Sequence, residues 1–206
     1  MTRIKICGIT SAEDAAAAVA AGADALGLIF VPGTPRYVSP EQAATIVAEL
    51  PPFVTTVGVF ADAPLEELLG IADGLRLHAV QLHGHESEAF SRRLPFPVIR
   101  ALRVRDASSQ QPMETYPARV FLLDAYAEER LGGTGAAVPR ELAVRAAGRR
   151  PVILAGGLRP ETVGEAVRVV RPYGVDVCSG VERFPGRKDH RKVREFIVNV
   201  RHADLG

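Results

Sequence analysis

Apolar segments of strand length alternate with helical segments along this chain, eight times over. The strand-like runs are Ile4–Ile9, Ala25–Phe30, Thr55–Phe60, Ala79–Leu82, Val98–Leu102, Val120–Asp124, Val152–Ala155 and Val175–Cys178. Helical patterns occupy Ala12–Ala21, Pro40–Leu50, Leu65–Ile71, Glu86–Leu94, Arg140–Ala147, Pro160–Val170 and Lys188–Val200. The stretch Ala107–Tyr116 is polar and carries Pro112, so only a short or irregular helix is expected there. Strands separated by helices form parallel sheets covered on their faces. The runs lack polar alternation, as burial of both faces requires. Eight units in 206 residues, about 26 apiece, predict an α/β fold. The specific expectation is a single (β/α)8 TIM barrel over residues 1–206, near the short end for that architecture. An open doubly wound sheet is the alternative, and it would carry Gly-x-Gly-x-x-Gly after its first strand. Cys7-Gly8-Ile9-Thr10-Ser11 is not that turn. Helix starts are marked by Ser11, Ser39-Pro40-Glu41 and Arg159-Pro160-Glu161.

Charge narrows the function classes. The formal net charge is +1, which gives no general attraction for nucleic acid or anionic membranes. No apolar run approaches the roughly 20 residues that span a bilayer. The N-terminus lacks an apolar signal core, so a cytoplasmic protein is expected. The two cysteines, Cys7 and Cys178, are then expected as free thiols. No His, Cys and Asp cluster has metal spacing, and no phosphate loop ending in Gly-Lys-Ser/Thr occurs. A small-molecule partner is expected, without nucleic acid or membrane, for a monomer or homodimer.

In a barrel the active site gathers at the C-terminal ends of the strands. The first strand ends on Cys7, and Arg36 follows the second. The fourth ends on Gln81-Leu82-His83-Gly84, the sixth on Asp124, the seventh on Gly156-Gly157 and the eighth on Ser179-Gly180. Polar and glycine residues therefore collect at one rim. Two adjacent glycine-bearing loops after the last two strands, one leading into a helix at Pro160, suit an anion such as phosphate. A single Gly-Gly pair could equally make a tight turn. Gly132-Gly133-Thr134-Gly135 offers a further backbone cradle at Gly133 and Gly135, or a lid hinge.

Three side chains carry candidate chemistry. Cys7 sits at a strand tip before a helix start, where a thiolate is favoured, although a free cysteine is often a small core residue. Asp124 ends an apolar run, and burying an unpaired carboxylate is costly, so it is a candidate acid. Its plainer role would be to cap a loop or pair with Arg130. Strand periodicity puts Lys5 with Cys7 and Asp176 with Cys178, each pair on one face, and the first and eighth strands meet in a closed barrel. Lys5 is one of only three lysines, with Lys188 and Lys192, among 25 basic residues. Pointing inward beneath Cys7 near Asp176, it would lower the thiol pKa. Pointing out of the barrel bottom, it would only snorkel. Arg36 could grip a carboxylate bidentately.

These residues stand in segments that together resemble one family. The segments are Lys5-Ile6-Cys7-Gly8-Ile9-Thr10, Gly22-Ala23-Asp24, Arg36-Tyr37-Val38-Ser39-Pro40, Val57-Gly58-Val59-Phe60 and Val80-Gln81-Leu82-His83-Gly84. They continue with Leu122-Leu123-Asp124, Gly132-Gly133-Thr134-Gly135, Ala155-Gly156-Gly157-Leu158, Asp176-Val177-Cys178-Ser179-Gly180-Val181-Glu182 and Pro185-Gly186-Arg187-Lys188-Asp189. In order and nearly full length, the chain resembles the phosphoribosylanthranilate isomerases of tryptophan biosynthesis. The resemblance implies a (β/α)8 barrel and a cofactor-free Amadori rearrangement of N-(5-phosphoribosyl)anthranilate. It implies Cys7 as general base and Asp124 as general acid, with Arg36 on the anthranilate carboxylate. It implies phosphate at Gly156, Gly157, Ser179 and Gly180, and Gly133 and Gly135 are expected to bind it as well. Gln81, His83 and Asp176 are expected as further substrate contacts. The acid must hold its proton while the base gives up its own, which needs two different environments.

The chain departs from the family pattern in three places. Ala136-Ala137-Val138-Pro139 replaces an aromatic-acidic-Trp run, Thr34 stands for a serine, and Cys178 stands for another serine. Cys178 is expected to be structural filler. Three rivals rank below this reading. A histidine-pathway isomerase of the same fold is expected to carry Asp at the first strand tip. A Schiff-base aldolase would need a lysine, and Lys5 is the only strand lysine. A non-catalytic phosphate-binding barrel would not need Cys7 and Asp124 together.

Overall fold

Eight parallel strands close on one another in sequence order, β1 to β8, with β8 hydrogen-bonded back to β1. A computed structural model describes residues 1–125 and 138–206. The strands are β1 Arg3–Cys7, β2 Ala25–Ile29, β3 Thr55–Phe60, β4 Ala79–Leu82, β5 Val98–Val104, β6 Val120–Ala125, β7 Val152–Leu154 and β8 Gly174–Val177. The helices are α1 Ala12–Ala21, α2 Pro40–Ala48, α3 Leu65–Gly74, α4 Glu88–Arg92, α5 Arg140–Ala147, α6 Pro160–Val170 and α7 His190–Ala203. The (β/α)8 barrel is the architecture that strand–helix alternation predicts. No helix among the described residues is long and apolar enough to cross a membrane.

Burial on both faces explains the unbroken apolar strands. Val57, Ala79, Ile99, Ala101, Leu122, Ile153 and Ala155 form one apolar cluster, the packed interior of the barrel. A larger cluster fills the layer between barrel and helices, with Phe60, Phe121 and Phe196 fully buried. Phe30 stacks on Phe60, ring centroids 5.2 Å apart. Phe196 anchors α7, which packs on α1 and α6. Phe196→Ala is expected to lower unfolding free energy by ~3–5 kcal/mol, the usual range for emptying an aromatic core site. Urea unfolding followed by far-ultraviolet circular dichroism measures it, and a loss under 1 kcal/mol contradicts this packing.

The seam between the first and last strands is tied from below. Thr2 donates its backbone N–H and hydroxyl to Asp204, at 2.9 and 2.6 Å. Arg201 donates to Thr2 O at 2.7 Å and to Asp24 Oδ2 at 2.9 Å. In β1 and β8 the register pairs Lys5 with Asp176 and Ile6 with Val177. Two inward polar residues thus meet across the seam.

Several boundaries differ from the sequence expectation, each for a local reason. The first strand stops at Cys7 because Gly8 turns with φ +70°. The fourth helix starts at Glu88, two residues late. Glu86 turns inward to accept Asp62 N–H at 2.8 Å and Gly84 N–H at 3.0 Å, and Ser87 becomes the cap, accepting from Phe90 N–H. Arg100 pairs with the buried Glu86 at 2.7 Å. The last helix begins at His190, capped by Asp189. The preceding residues form a small antiparallel hairpin, β9 Glu182–Phe184 with β10 Arg187–Lys188, which periodicity did not reveal. Ala107–Met113 is a 3-10 helix capped by Asp106, in keeping with its polar sequence. Ser11 and Ser39 cap as expected, whereas Arg159 does not use its side chain. Instead Thr162 accepts the Arg159 N–H at 3.2 Å.

Candidate active site

A cleft of about 600 Å³ opens at the C-terminal ends of the strands. Cys7, Arg36, Gln81, His83, Asp124 and Asp176 line it, and so do Gly156, Gly157, Ser179 and Gly180. Ten of the residues expected from the sequence therefore share one cavity. Gly133 and Gly135 lie outside the described residues, as does Arg130.

Cys7 closes β1 and is buried, with its thiol turned to the cleft. Beneath it Lys5 is 3% exposed and donates to Asp176 Oδ1 at 2.8 Å. Gly27 on β2 makes room for this pair, since a Cβ there would stand 2.7 Å from Cys7 Sγ and 3.0 Å from Lys5 Nζ. Lys5 therefore points inward. Burial works against its charge, but the Asp176 carboxylate and Cys7 together hold its pKa above the usual lysine range.

The thiol of Cys7 is pulled down to about 6. The largest cause is a hydrogen bond from the Cys178 thiol. Burial opposes it, the Lys5 ammonium adds to the lowering, and Asp176 pulls the other way. Hydrogen bonding to the charged form and a nearby cation both favour thiolate. The Cys178 thiol moves the opposite way, well above the usual range, because it gives that hydrogen bond and is buried. Cys178 is thus more than the filler expected of it. Its Sγ also faces Lys188 Nζ and Glu182 Oε1, each at 3.8 Å.

Asp124 is the penultimate residue of β6, and two strands, β7 and β8, separate it from β1. Its Oδ1 accepts the Ala125 N–H at 2.9 Å, which fixes the carboxyl at the tip. Its Oδ2 lies 3.4 Å from His83 Nε2, and His83 Nδ1 is 3.2 Å from Gln81 Nε2. Among the described residues, Gln81 Oε1 and His83 Nε2 have no good hydrogen-bond partner. The row Gln81, His83, Asp124 is a polar wall with unspent capacity, facing the thiol across the cleft.

The glycines bring backbone close. Gly156 and Gly157 adopt φ of +75° and +64°, a region open to glycine and strained for other residues. A Cβ on Gly156 would stand 2.6 Å from Ala125 N and 3.0 Å from Asp124 Oδ1. A Cβ on Gly180 would meet Leu158 O at 2.0 Å, so the loops after β7 and β8 are in direct contact. The two glycine-bearing rims form one continuous lining.

Arg36 differs most from its expectation. Its Nε and Nη2 already grip Glu182, at 2.7 to 3.2 Å, and that pairing raises the guanidinium pKa further. The Nε–Nη2 face of the fork is therefore satisfied within the protein, while the residue still lines the cleft. Glu182 is 7% exposed and also accepts from Lys188 Nζ at 2.9 Å. Lys188, itself buried, is placed by Asp14 of α1, which accepts its backbone N–H at 3.0 Å. Glu182 and Lys188 stand directly behind the cleft-lining Arg36 and Cys178, contacts that single-residue reasoning missed. The available signal was a buried-looking Glu in an apolar strand end and a second lysine in a chain with only three.

Fold and cleft place the chain among the (β/α)8-barrel enzymes with a polar cleft at the strand tips. The family model described as N-(5'phosphoribosyl)anthranilate (PRA) isomerase matches residues 4–199. The N-(5'-phosphoribosyl)anthranilate isomerase of Geotalea uraniireducens is 52% identical over 201 residues, covering 98% of this chain and 99% of that protein. The crystal structure of phosphoribosyl anthranilate isomerase from Thermotoga maritima superposes with a TM-score of 0.92 at 43% identity, covering 98% of this chain and all of the other. Another, of the isomerase in complex with reduced 1-(o-carboxyphenylamino)-1-deoxyribulose 5-phosphate, gives 0.89 at 42% identity with the same coverage. The chain belongs to the N-(5'-phosphoribosyl)anthranilate isomerase family.

Proposed function

We propose that this chain converts N-(5-phosphoribosyl)anthranilate to 1-(2-carboxyphenylamino)-1-deoxyribulose 5-phosphate, an Amadori rearrangement in tryptophan biosynthesis, with Cys7 as base and Asp124 as acid. The observation that carries the residue assignment is a thiol with a lowered pKa facing a carboxyl across one cleft. Asp124 protonates the furanose ring oxygen, and the C1′–O bond breaks to leave a protonated Schiff base. Cys7, as thiolate, removes the proton from C2′. The electron pair moves to form an enolamine, which takes a proton at C1′, gives up the one on its 2′-hydroxyl and becomes the ketose. Oxidation at C2′ is balanced by reduction at C1′ of the same molecule, so the reaction needs no external oxidant or reductant and no cofactor.

The remaining residues position the substrate. Gly156, Gly157, Ser179 and Gly180 line the end of the cleft suited to phosphate, because glycines let backbone N–H groups approach an anion. Arg36 meets the anthranilate carboxylate while Glu182 holds the guanidinium in place. Gln81 and His83 support Asp124, and Asp176 holds Lys5. Two anionic grips set the reacting carbons between acid and base, which is how orientation lowers the barrier.

The test reads the thiolate without relying on substrate, whose phosphate itself ionises near pH 6. The alkylation rate of Cys7 by iodoacetamide is measured against pH, with peptide mapping to separate Cys7 from Cys178. A transition near pH 6 is expected. Lys5→Met removes a cation that favours thiolate and leaves Asp176 opposing it, so the transition moves to higher pH. An unchanged transition rules out Lys5 as a tuning group. A wild-type transition above pH 8 rules out Cys7 as a base at neutral pH.

A further inference from the structure

We propose that Cys7 and Cys178 form a reversible intramolecular disulfide when the protein meets a hydroperoxide, a modification that switches off the isomerase site. The geometry is set by the barrel seam. Ile6 pairs with Val177 in the β1–β8 register, so Cys7, the last residue of β1, and Cys178, the first residue past β8, each follow a directly paired neighbour. Paired positions on adjacent strands stand about 4.8 Å apart, inside the 4.4–6.8 Å Cα range that a disulfide accepts. Both side chains sit on the inward face and line the same cleft. A Cβ added to Gly8 would stand 2.8 Å from Cys178 Sγ, so the second thiol leans over the end of β1.

The chemistry follows from the two environments. Hydroperoxides react with thiolates, and Cys7 is the residue held as thiolate. Its sulfur attacks one peroxide oxygen, the O–O bond breaks, and hydroxide (or alkoxide) leaves, giving Cys7 sulfenic acid. That product is neutral, so the hydrogen bond that kept the proton on Cys178 is lost, while Lys188 still faces Cys178 Sγ at 3.8 Å. Cys178 sulfur then attacks the sulfenic sulfur. The S–O bond breaks, and the Cys178 proton leaves with the hydroxyl as water. A dithiol reductant reverses the step by exchange. With its base in a disulfide, the site cannot take the C2′ proton. That consequence, though not the bond itself, rests on the assignment of Cys7 above.

The experiment treats the folded protein with excess hydrogen peroxide and blocks remaining thiols with iodoacetamide. Intact mass and peptide mapping follow, with turnover measured before and after dithiothreitol. The chain has only two cysteines, so an intramolecular bond is unambiguous. The expected product lacks two hydrogen atoms and takes up no iodoacetamide, and its turnover falls ~10²-fold or more, as loss of a general base implies. Dithiothreitol restores it. Cys178→Ser, scored against its own untreated rate, instead carries two added oxygens on Cys7 and does not recover. Wild type with an oxygenated Cys7 and an alkylated Cys178 overturns the proposal, as does equal recovery in both proteins. A disulfide that leaves turnover intact would keep the bond and overturn Cys7 as base.

Discussion

Cys7→Ser lowers kcat by ~10²–10⁴-fold and leaves KM within a few-fold of wild type. A serine hydroxyl fits the space and keeps its place above the Lys5–Asp176 pair, so binding is preserved. It is not ionised near neutrality, and the lysine beneath it cannot take its proton. Lys5 is itself held in its charged form. Turnover is followed by the change in fluorescence of the anthranilate group. In the variant, removal of the C2′ proton becomes the slow step, so substrate deuterated at C2′ reacts more slowly than unlabelled substrate. A variant that keeps full rate, or that loses rate without an isotope effect, contradicts the assignment.

Asp124→Asn brings a second loss of ~10²–10⁴-fold in kcat. The amide oxygen still accepts the Ala125 N–H, so the strand tip is undisturbed. What disappears is the acidic proton needed by the ring oxygen. Ring opening then limits turnover, and the C2′ isotope effect shrinks toward unity. The two variants thus lose similar rate with opposite isotope signatures. His83 stands 3.4 Å from Asp124 and is the residue that would supply any residual proton transfer. An Asp124→Asn protein with wild-type kcat would move the acid to His83.

The fold was legible because its signal is repeated. Eight apolar runs, each buried on both faces, leave little else for the chain to form. Boundaries were less legible where one side chain overrides the pattern. Glu86 reads as a helix residue, but it is needed inside to satisfy Arg100 and two backbone N–H groups. The site was legible as a list of strand tips, because the barrel always gathers those tips at one rim. Its internal wiring was not. Arg36 and Glu182 are far apart in the chain, and the Cys7–Cys178 contact depends on strand register. Local composition carries neither. Lys5 could be read from its parity with Cys7, yet the larger influence on the thiol comes from a residue that looked like filler.

The seam between β1 and β8 has a consequence for how the enzyme comes into being. Cys7 closes the first strand, whereas Asp176, Cys178, Glu182 and Lys188 belong to the eighth strand and the segment after it, and are synthesised much later. Until they emerge, Cys7 has no thiol partner, Lys5 has no carboxylate, and Arg36 has nothing to hold its guanidinium. A nascent or prematurely ended chain therefore carries an ordinary, unactivated cysteine. Activation of the thiol therefore waits for β8 to pair with β1, so synthesis of β8 and the segment after it is what lowers its pKa.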